Sequence, residues 1–321
     1  MLGRHAAVEP WLLEHRADSV ENVRSRGHGG PPRIPCTPES VLQENVGLVV
    51  LATPAEVSME LAPALLAVGA KVVDLSGAFR LRTVENYGKW YNEAHTQPEL
   101  LAEATYGLPE FFRESVRHSR LVANPGCYPT AANLAIRPLV EAGVIDRAAG
   151  IVCDAKSGVS GAGRKASLKT SFCEVTENFS AYSILGHRHV PEVLLTSGLE
   201  EAELSFTAHL IPLDRGILET IYFRVRPGED AESLVRVYEE CYQGEPFVRL
   251  YDAGHVPDLH AVRHTNFCDI GVKVDAKTGR GVVVSAIDNL VKGAAGQAIQ
   301  NMNLMLGLPE TMGLEQLSIY P

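Results

Sequence analysis

Val46-Gly-Leu-Val-Val-Leu-Ala52, closed by Thr53-Pro54, and Lys71-Val-Val-Asp-Leu-Ser-Gly77 are two short apolar runs rich in β-branched residues. Between them, residues 55–68 carry apolar side chains at helical spacing. Strand, helix, strand in that order is the unit from which doubly wound parallel sheets are built, and such sheets bind ligands at the carboxyl ends of their strands. Leu121-Val-Ala123 reads as a further buried strand and runs into Asn124-Pro-Gly-Cys-Tyr-Pro-Thr130. Residues 131–142 then read as a helix, which places Cys127 at a strand-to-helix corner. Beyond Gly150 the pattern changes, with longer strand candidates at 150–155, 204–213, 219–225, 271–274 and 281–286. The expected fold is α/β: a partial Rossmann-like, doubly wound parallel sheet, plus an α+β domain with a mostly antiparallel sheet. Residues 1–126 form the first domain in this reading and residues 127–286 the second. A helical pattern over 289–306, within the closing segment 287–321, returns to complete the first.

A chain of 321 residues exceeds the usual size of one domain, which agrees with two. With 45% hydrophobic and 21% charged residues it has the composition of a globular protein, and no apolar run is long enough for a membrane span. The formal charge of −10 gives no general attraction for nucleic acid or anionic lipid, so neither is expected as a partner. Six cysteines without a CxxC pair suggest neither a zinc site nor a disulfide framework, and no metal is expected. Residues 1–11 carry His5, Glu9 and Pro10 where a signal peptide needs an apolar core, so the expected location is the cytoplasm. The polar, glycine-rich stretch 18–38 reads as loop, and its Arg24, Arg26 and His28 suit either solvent or a ribose phosphate.

Four segments could carry chemistry. A cysteine at the start of a helix has its thiolate stabilised by unpaired backbone N–H groups, which makes Cys127 a candidate nucleophile, against the ordinary role of a small buried hydrophobe. Gly186-His-Arg-His-Val-Pro-Glu192 offers His187 and His189, which share a face in a strand and diverge in a turn. Either could take the thiol proton if it faces Cys127. Ser157-Gly-Val-Ser-Gly-Ala-Gly-Arg164 reads as a glycine-rich turn whose N–H groups, with Arg164 and Lys165, could cradle an anion. Arg215 lies between two strand candidates, where its guanidinium can grip a phosphate or carboxylate or simply pair with Asp214 or Glu219.

Together with Phe172-Cys-Glu-Val-Thr-Glu-Asn178, Leu213-Asp-Arg-Gly-Ile217 and Asp288-Asn-Leu-Val-Lys-Gly-Ala-Ala-Gly-Gln297, these segments resemble the N-acetyl-γ-glutamyl-phosphate reductases, relatives of aspartate-semialdehyde dehydrogenase. The likeness covers nearly the whole chain. It implies an NADPH-dependent reduction of an acyl phosphate in arginine biosynthesis, a second domain that serves catalysis and dimerisation, and a homodimer or homotetramer. It makes Cys127 the nucleophile and His187 the acid/base group. Asn124, Glu174, His189 and Arg215 fall by the substrate. Ser157, Gly158, Gly161, Asp288 and Asn289 fall near the nicotinamide end of the cofactor. Two other readings stay open: a reductase of carrier-linked aminoadipyl phosphate, and a non-catalytic binding or assembly protein. The family opens with a strand and a glycine loop for the cofactor pyrophosphate, and Met1-Leu-Gly-Arg-His5 resembles the end of the helix that follows them. Without such a strand, Val49 and Leu51 are expected to be partly unpaired or solvent-exposed and NADPH binding to be weak.

Overall fold

In the computed structural model, which describes residues 1–14, 31–163 and 167–318, the apolar runs become parallel strands. The chain forms two units: Met1–Thr83, His95–Asn124 and Ala298–Leu314 make the first, and Val84–Ala94, Pro125–Gln297 and Glu315–Pro321 the second.

The first unit holds strands β1 (Leu12–Glu14), β2 (Arg33–Pro35), β3 (Leu48–Leu51), β4 (Lys71–Asp74), β5 (Thr105–Tyr106) and β6 (Leu121–Ala123). They form two parallel sheets, β1-β2 and β3-β4-β6-β5. Between β3 and β4 runs the helix Ala55–Ala67. It stops at Gly69, whose positive φ of 87° lets the N–H groups of Gly69 and Ala70 turn back onto the carbonyls of Leu66 and Leu65. On one face of the larger sheet Val73 and Val122 pack with Ala298, Leu304 and Met305 of the terminal segment, and Leu48 and Val50 join them. The terminal helix Gly296–Met305 buries amides as well as apolar groups. Asn301 Nδ2 donates to the Gly107 carbonyl and to Asn124 Oδ1, and Asn303 Nδ2 donates to two backbone carbonyls, so these two donors are satisfied where they are buried.

Val49 and Leu51 are only 2% and 3% exposed, which corrects the expectation that they face solvent. Strand side chains stand perpendicular to the sheet and are covered from its faces, so an open neighbour position exposes backbone in the plane instead.

The second unit is a seven-stranded sheet of β7 (Ile151–Gly158), β8 (Ser180–Tyr182), β9 (Leu204–Ile211), β10 (Ile217–Arg224), β11 (Val248–Leu250), β12 (Cys268–Asp275) and β13 (Arg280–Ile287). Their order is β11-β12-β13-β10-β7-β9-β8. β7 with β9 and β11 with β12 are parallel and the other pairs antiparallel. The helix Cys127–Glu141 packs on the sheet and against the helices Val190–Ser197 and Ala231–Cys241. Tyr238 and Tyr242 tie the last of these to it by donating to the carbonyls of Ala135 and Leu134.

Four expectations shift here, the first being that the stretch 18–38, read as loop, contains the strand β2 and the start of the helix Pro38–Gln43. The helix begins at Cys127 rather than at 131, because Pro129 lies in its first turn, where a missing N–H costs nothing. Ser157 and Gly158 belong to β7, paired with β9 and β10, so the turn itself is Val159–Ala162. The pattern over 289–306 is broken into a π-helical turn, Val291–Ala295, followed by the terminal helix.

Candidate active site

Gly126 is extended and Cys127 is the first helical residue after it, so the thiol lies beside first-turn N–H groups that have no acceptor within the helix. Cys127 is partly exposed, unlike the buried Cys153 and Cys268. The Gly126 amide donates to Glu192 Oε2 at 2.9 Å, and Glu192 is 1% exposed. Glu192 was absent from the expected site; the only hint in the sequence is its place at the end of Gly186-His-Arg-His-Val-Pro-Glu192.

Both histidines of that motif come to this corner, in the turn that leads into Val190–Ser197. A Cβ on Gly126 would lie 2.6 Å from His189 Nε2, so the ring can reach the residue before Cys127 only because that residue is glycine. His187 Nδ1 accepts the His189 N–H at 3.2 Å, which leaves the proton of the neutral ring on Nε2. Its ring meets Tyr128 and Tyr182 edge-on, each at 5.5 Å. Tyr182 Oη donates to Tyr128 Oη at 3.3 Å, and Tyr128 Oη to the His209 carbonyl at 3.0 Å. Burial raises the pKa of both phenols, so they stay neutral donors.

Burial, and then the charge of Arg188, push the His187 imidazole down to about 4. The unfolded ring titrates near 6.5. Between those values the unfolded chain takes up a proton that the folded chain refuses, so this contribution is intact above pH 6.5 and is lost as pH falls through the window. The full loss is on the order of 3 kcal/mol. Urea unfolding at about pH 7.5 and about pH 4.5 should therefore show a larger acid loss for the parent than for His187→Gln. Equal losses would contradict the buried, neutral assignment.

On the other side of the thiol lies the π-helical turn. A Cβ on Gly293 would come within 2.8 Å of Cys127 Cβ, so only glycine permits this approach. The Gly293 N–H donates to the Asp288 carbonyl at 3.0 Å. Asp288 Oδ1 accepts from the N–H groups of Leu290 and Val291, and Oδ2 accepts from the His264 N–H at 2.7 Å and from Arg215 Nη1 at 3.3 Å. Arg215 Nη1 also lies 3.2 Å from His264 Nδ1. Asp288 is fully buried, whereas Arg215 keeps about a quarter of its side chain exposed (24%). His264 was also missed; its φ of 65° is left-handed, a strained backbone held beside the guanidinium.

The remaining expected residues gather around Arg215. Its backbone runs 2.7 Å from where a Gly158 Cβ would stand, and a Gly161 Cβ would meet Ser157 Oγ at 2.6 Å. Asn289 Oδ1 accepts the Gly216 N–H at 2.7 Å, and its Nδ2 donates to Ser160 Oγ at 3.0 Å. The structure thus brings Cys127, His187, His189, Ser157, Gly158, Gly161, Arg215, Asp288 and Asn289 together within the second unit. Glu174 sits apart on an exposed turn of helix, Phe172–Val175. Asn124 is buried in the first unit, where its carbonyl accepts from Arg80 Nε. Arg24, Arg26, His28, Arg164 and Lys165 lie outside the described residues. Among the described residues there is no group of three or more metal-ligating side chains and no helix long and apolar enough to cross a membrane.

Two family models match the chain. The dimerisation domain of semialdehyde dehydrogenases matches residues 127–289, and their NAD binding domain matches residues 20–119. The N-acetyl-gamma-glutamyl-phosphate reductase of Symbiobacterium thermophilum is 51% identical over 97% of this chain and 86% of its own length. That of Geobacter metallireducens is 48% identical over 98% and 88%. Among solved structures, aspartate semialdehyde dehydrogenase II from Vibrio cholerae superposes with a TM-score of 0.61 at 19% identity, covering 82% of this chain and 80% of that one. The fold is therefore that of the semialdehyde dehydrogenases. The chain belongs to the N-acetyl-gamma-glutamyl-phosphate reductase family of oxidoreductases.

Proposed function

We propose that this protein reduces N-acetyl-L-glutamyl 5-phosphate to the 5-semialdehyde with release of phosphate, the step its relatives are named for, and that NADPH is the reductant. The observation that carries this reading is the path from cation to nucleophile. Arg215 holds Asp288, the Asp288 carbonyl holds Gly293, and Gly293 lies against Cys127. An oxyanion-bearing substrate gripped by Arg215 has its acyl carbon on the thiol's side of the site.

Cys127 sulfur attacks the acyl carbon, and the C–O bond to phosphate breaks with its electron pair leaving on phosphate. His189, whose Nε2 lies against Gly126, takes the thiol proton. The bound cofactor supplies the hydride that reduces the resulting thioester. The Nε2–H of the neutral His187 ring hydrogen-bonds the oxyanion left by hydride addition; collapse of that oxyanion to the carbonyl breaks the C–S bond and releases the aldehyde and the thiolate, the proton held by His189 passes to the departing phosphate, and the thiolate regains a proton from solvent. The turn Val159–Ala162 is Val-Ser-Gly-Ala, with the Ser157 and Ser160 hydroxyls and the Asn289 amide at hand. It fits the flat, carboxamide-bearing end of a dinucleotide.

A homodimer through the second unit accompanies this reading, since Leu168, Phe172, Phe179, Ile184 and Leu185 near edge strand β8 are each at least 59% exposed. The reading is tested by assaying the purified protein with a panel of semialdehydes in the presence of phosphate and NADP+. N-acetylglutamate semialdehyde should be the preferred substrate. Turnover of the carrier-linked aminoadipate semialdehyde alone would overturn the choice.

A further inference from the structure

His264 stands on the connection between β11 and β12, and no step of the reaction above uses it. Its φ of 65° lies in the left-handed region, which glycine enters freely and other residues enter uncommonly. Local contacts fix that backbone. The His264 N–H donates to Oδ2 of the fully buried Asp288 at 2.7 Å. On one side the Val262 and Arg263 N–H groups close on the Leu259 carbonyl, and on the other both the N–H and the hydroxyl of Thr265 close on the Val262 carbonyl. Strain of this kind persists only where neighbouring contacts over-determine it, and it gathers at functional sites. The imidazole itself is exposed, so core packing does not account for a histidine here.

What the ring does touch is Arg215, whose Nη1 lies 3.2 Å from His264 Nδ1. A guanidinium only donates, so Nδ1 accepts and the ring proton is carried on Nε2. Arg215 is thereby held at two of its nitrogens. Nη1 is committed to His264 and to Asp288 Oδ2 at 3.3 Å, and Nε lies 3.8 Å from Oδ2 of the exposed Asp214, which also takes Arg263 Nη2 at 2.9 Å. Among the described residues no acceptor meets Arg215 Nη2 or His264 Nε2. Two donors without acceptors therefore flank the contact between Nη1 and Nδ1.

A carboxylate or phosphate offers at least two oxygens and is gripped best when each meets its own donor. With Nη1 committed, the end-on fork of Nη1 and Nη2 is not available to it. The donor next in line is His264 Nε2.

We infer that His264 is a substrate-binding residue, whose Nε2–H donates to the oxyanion group held by Arg215, so that imidazole and guanidinium act as one clamp mounted on the buried Asp288. The inference rests on the substrate-binding reading of Arg215 given above and extends it to a second side chain. The clamp faces the chemistry through the same residue that supports it, since the Asp288 carbonyl holds Gly293 and Gly293 lies against Cys127. The left-handed backbone is what turns the ring onto the guanidinium while the His264 N–H stays on the carboxylate. The acyl phosphate carries two oxyanion groups, a carboxylate and a phosphate. In the reverse direction they arrive on separate molecules, the semialdehyde and inorganic phosphate, so kinetics can tell which of them the clamp holds.

The test is His264→Gly, which removes the imidazole and suits the left-handed backbone, so the fold is kept and thermal unfolding checks that it is. His264→Asn is the companion variant, because asparagine tolerates the same φ and retains an N–H donor. Phosphate-dependent reduction of NADP+ is followed with N-acetylglutamate semialdehyde varied at saturating phosphate, and then with phosphate varied at saturating semialdehyde. His264→Gly should raise one of the two KM values about 10- to 100-fold, the loss of one hydrogen bond to a charged group, with kcat little changed. A rise for the semialdehyde assigns the clamp to the carboxylate and a rise for phosphate to the phosphoryl group. His264→Asn should recover part of the loss. In an Arg215→Ala background His264→Gly should raise the same KM again, and no further change there would overturn the inference by reducing His264 to a support for the guanidinium. Unchanged KM for both reactants, or a loss carried by kcat alone, would overturn it while leaving the role of Arg215 intact. A parent protein inactive with the semialdehyde would overturn the proposed function and this inference together.

Discussion

Replacing Cys127 by Ser should lower phosphate-dependent reduction of NADP+ by N-acetylglutamate semialdehyde at least about 10⁴-fold, through kcat rather than KM. The hydroxyl keeps the size and place of the thiol at the head of the helix Cys127–Glu141. It is a far weaker nucleophile at neutral pH and a far worse leaving group from the tetrahedral adduct. The fold should not suffer, because Cys127 is only partly buried and its neighbour Gly293 meets the Cβ, which serine retains. Stopped assays with parent and variant at matched thermal stability give the comparison. A variant within tenfold of the parent would remove Cys127 from the reaction.

Arg215→Ala should reduce kcat/KM by roughly 10² to 10⁴, mostly through KM, because two charge-assisted hydrogen bonds to an oxyanion contribute about 1.5–3 kcal/mol each and 1.4 kcal/mol is tenfold. The stability cost should be small by comparison. Asp288 still accepts from the N–H groups of Leu290, Val291 and His264 when the guanidinium is gone, so no buried carboxylate is stranded. Arg215→Lys keeps the charge without the planar fork and should recover only part of the loss. Unchanged kcat/KM in Arg215→Ala would show that the guanidinium serves Asp288 and not the substrate.

How far the site was legible depends on how local each feature is. Cys127 at a strand-to-helix corner is a matter of a few adjacent residues, and the structure differs only in starting the helix four residues earlier. The clustering of Ser157, Arg215 and Asn289 depends on β7, β10 and β13 lying side by side. Pairing register is set by long-range packing, so the motifs could be named from the sequence but their meeting point could not. Glu192 and His264 were missed for the same reason, since the Gly126 amide and Asp288 lie far from them in sequence.

Glu219 shows the opposite failure. As a charge near Arg215 it was a natural ion-pair partner, but on β10 it alternates inward with Ile217 and Ile221, so Arg215 pairs with Asp288 and approaches Asp214 at 3.8 Å instead. Glu219 is buried against the Cys153 thiol at 3.5 Å, and burial raises its carboxyl pKa well above the usual range. In the first unit β3, β4 and β6 were legible as short apolar runs, whereas β1, β2 and β5 are two or three residues long and too short to show a pattern.

The central claim is that Cys127 itself carries the acyl group, and it can be tested without the cofactor. The protein is mixed with N-acetyl-L-glutamyl 5-phosphate in the absence of any nicotinamide, quenched in acid and digested, and each cysteine-containing peptide is analysed by mass spectrometry. One N-acetylglutamyl group per chain on Cys127, discharged by hydroxylamine and absent from Cys127→Ser, is the expected result. Acylation spread over the exposed Cys173 and lysines, with Cys127 unmodified, would contradict the account.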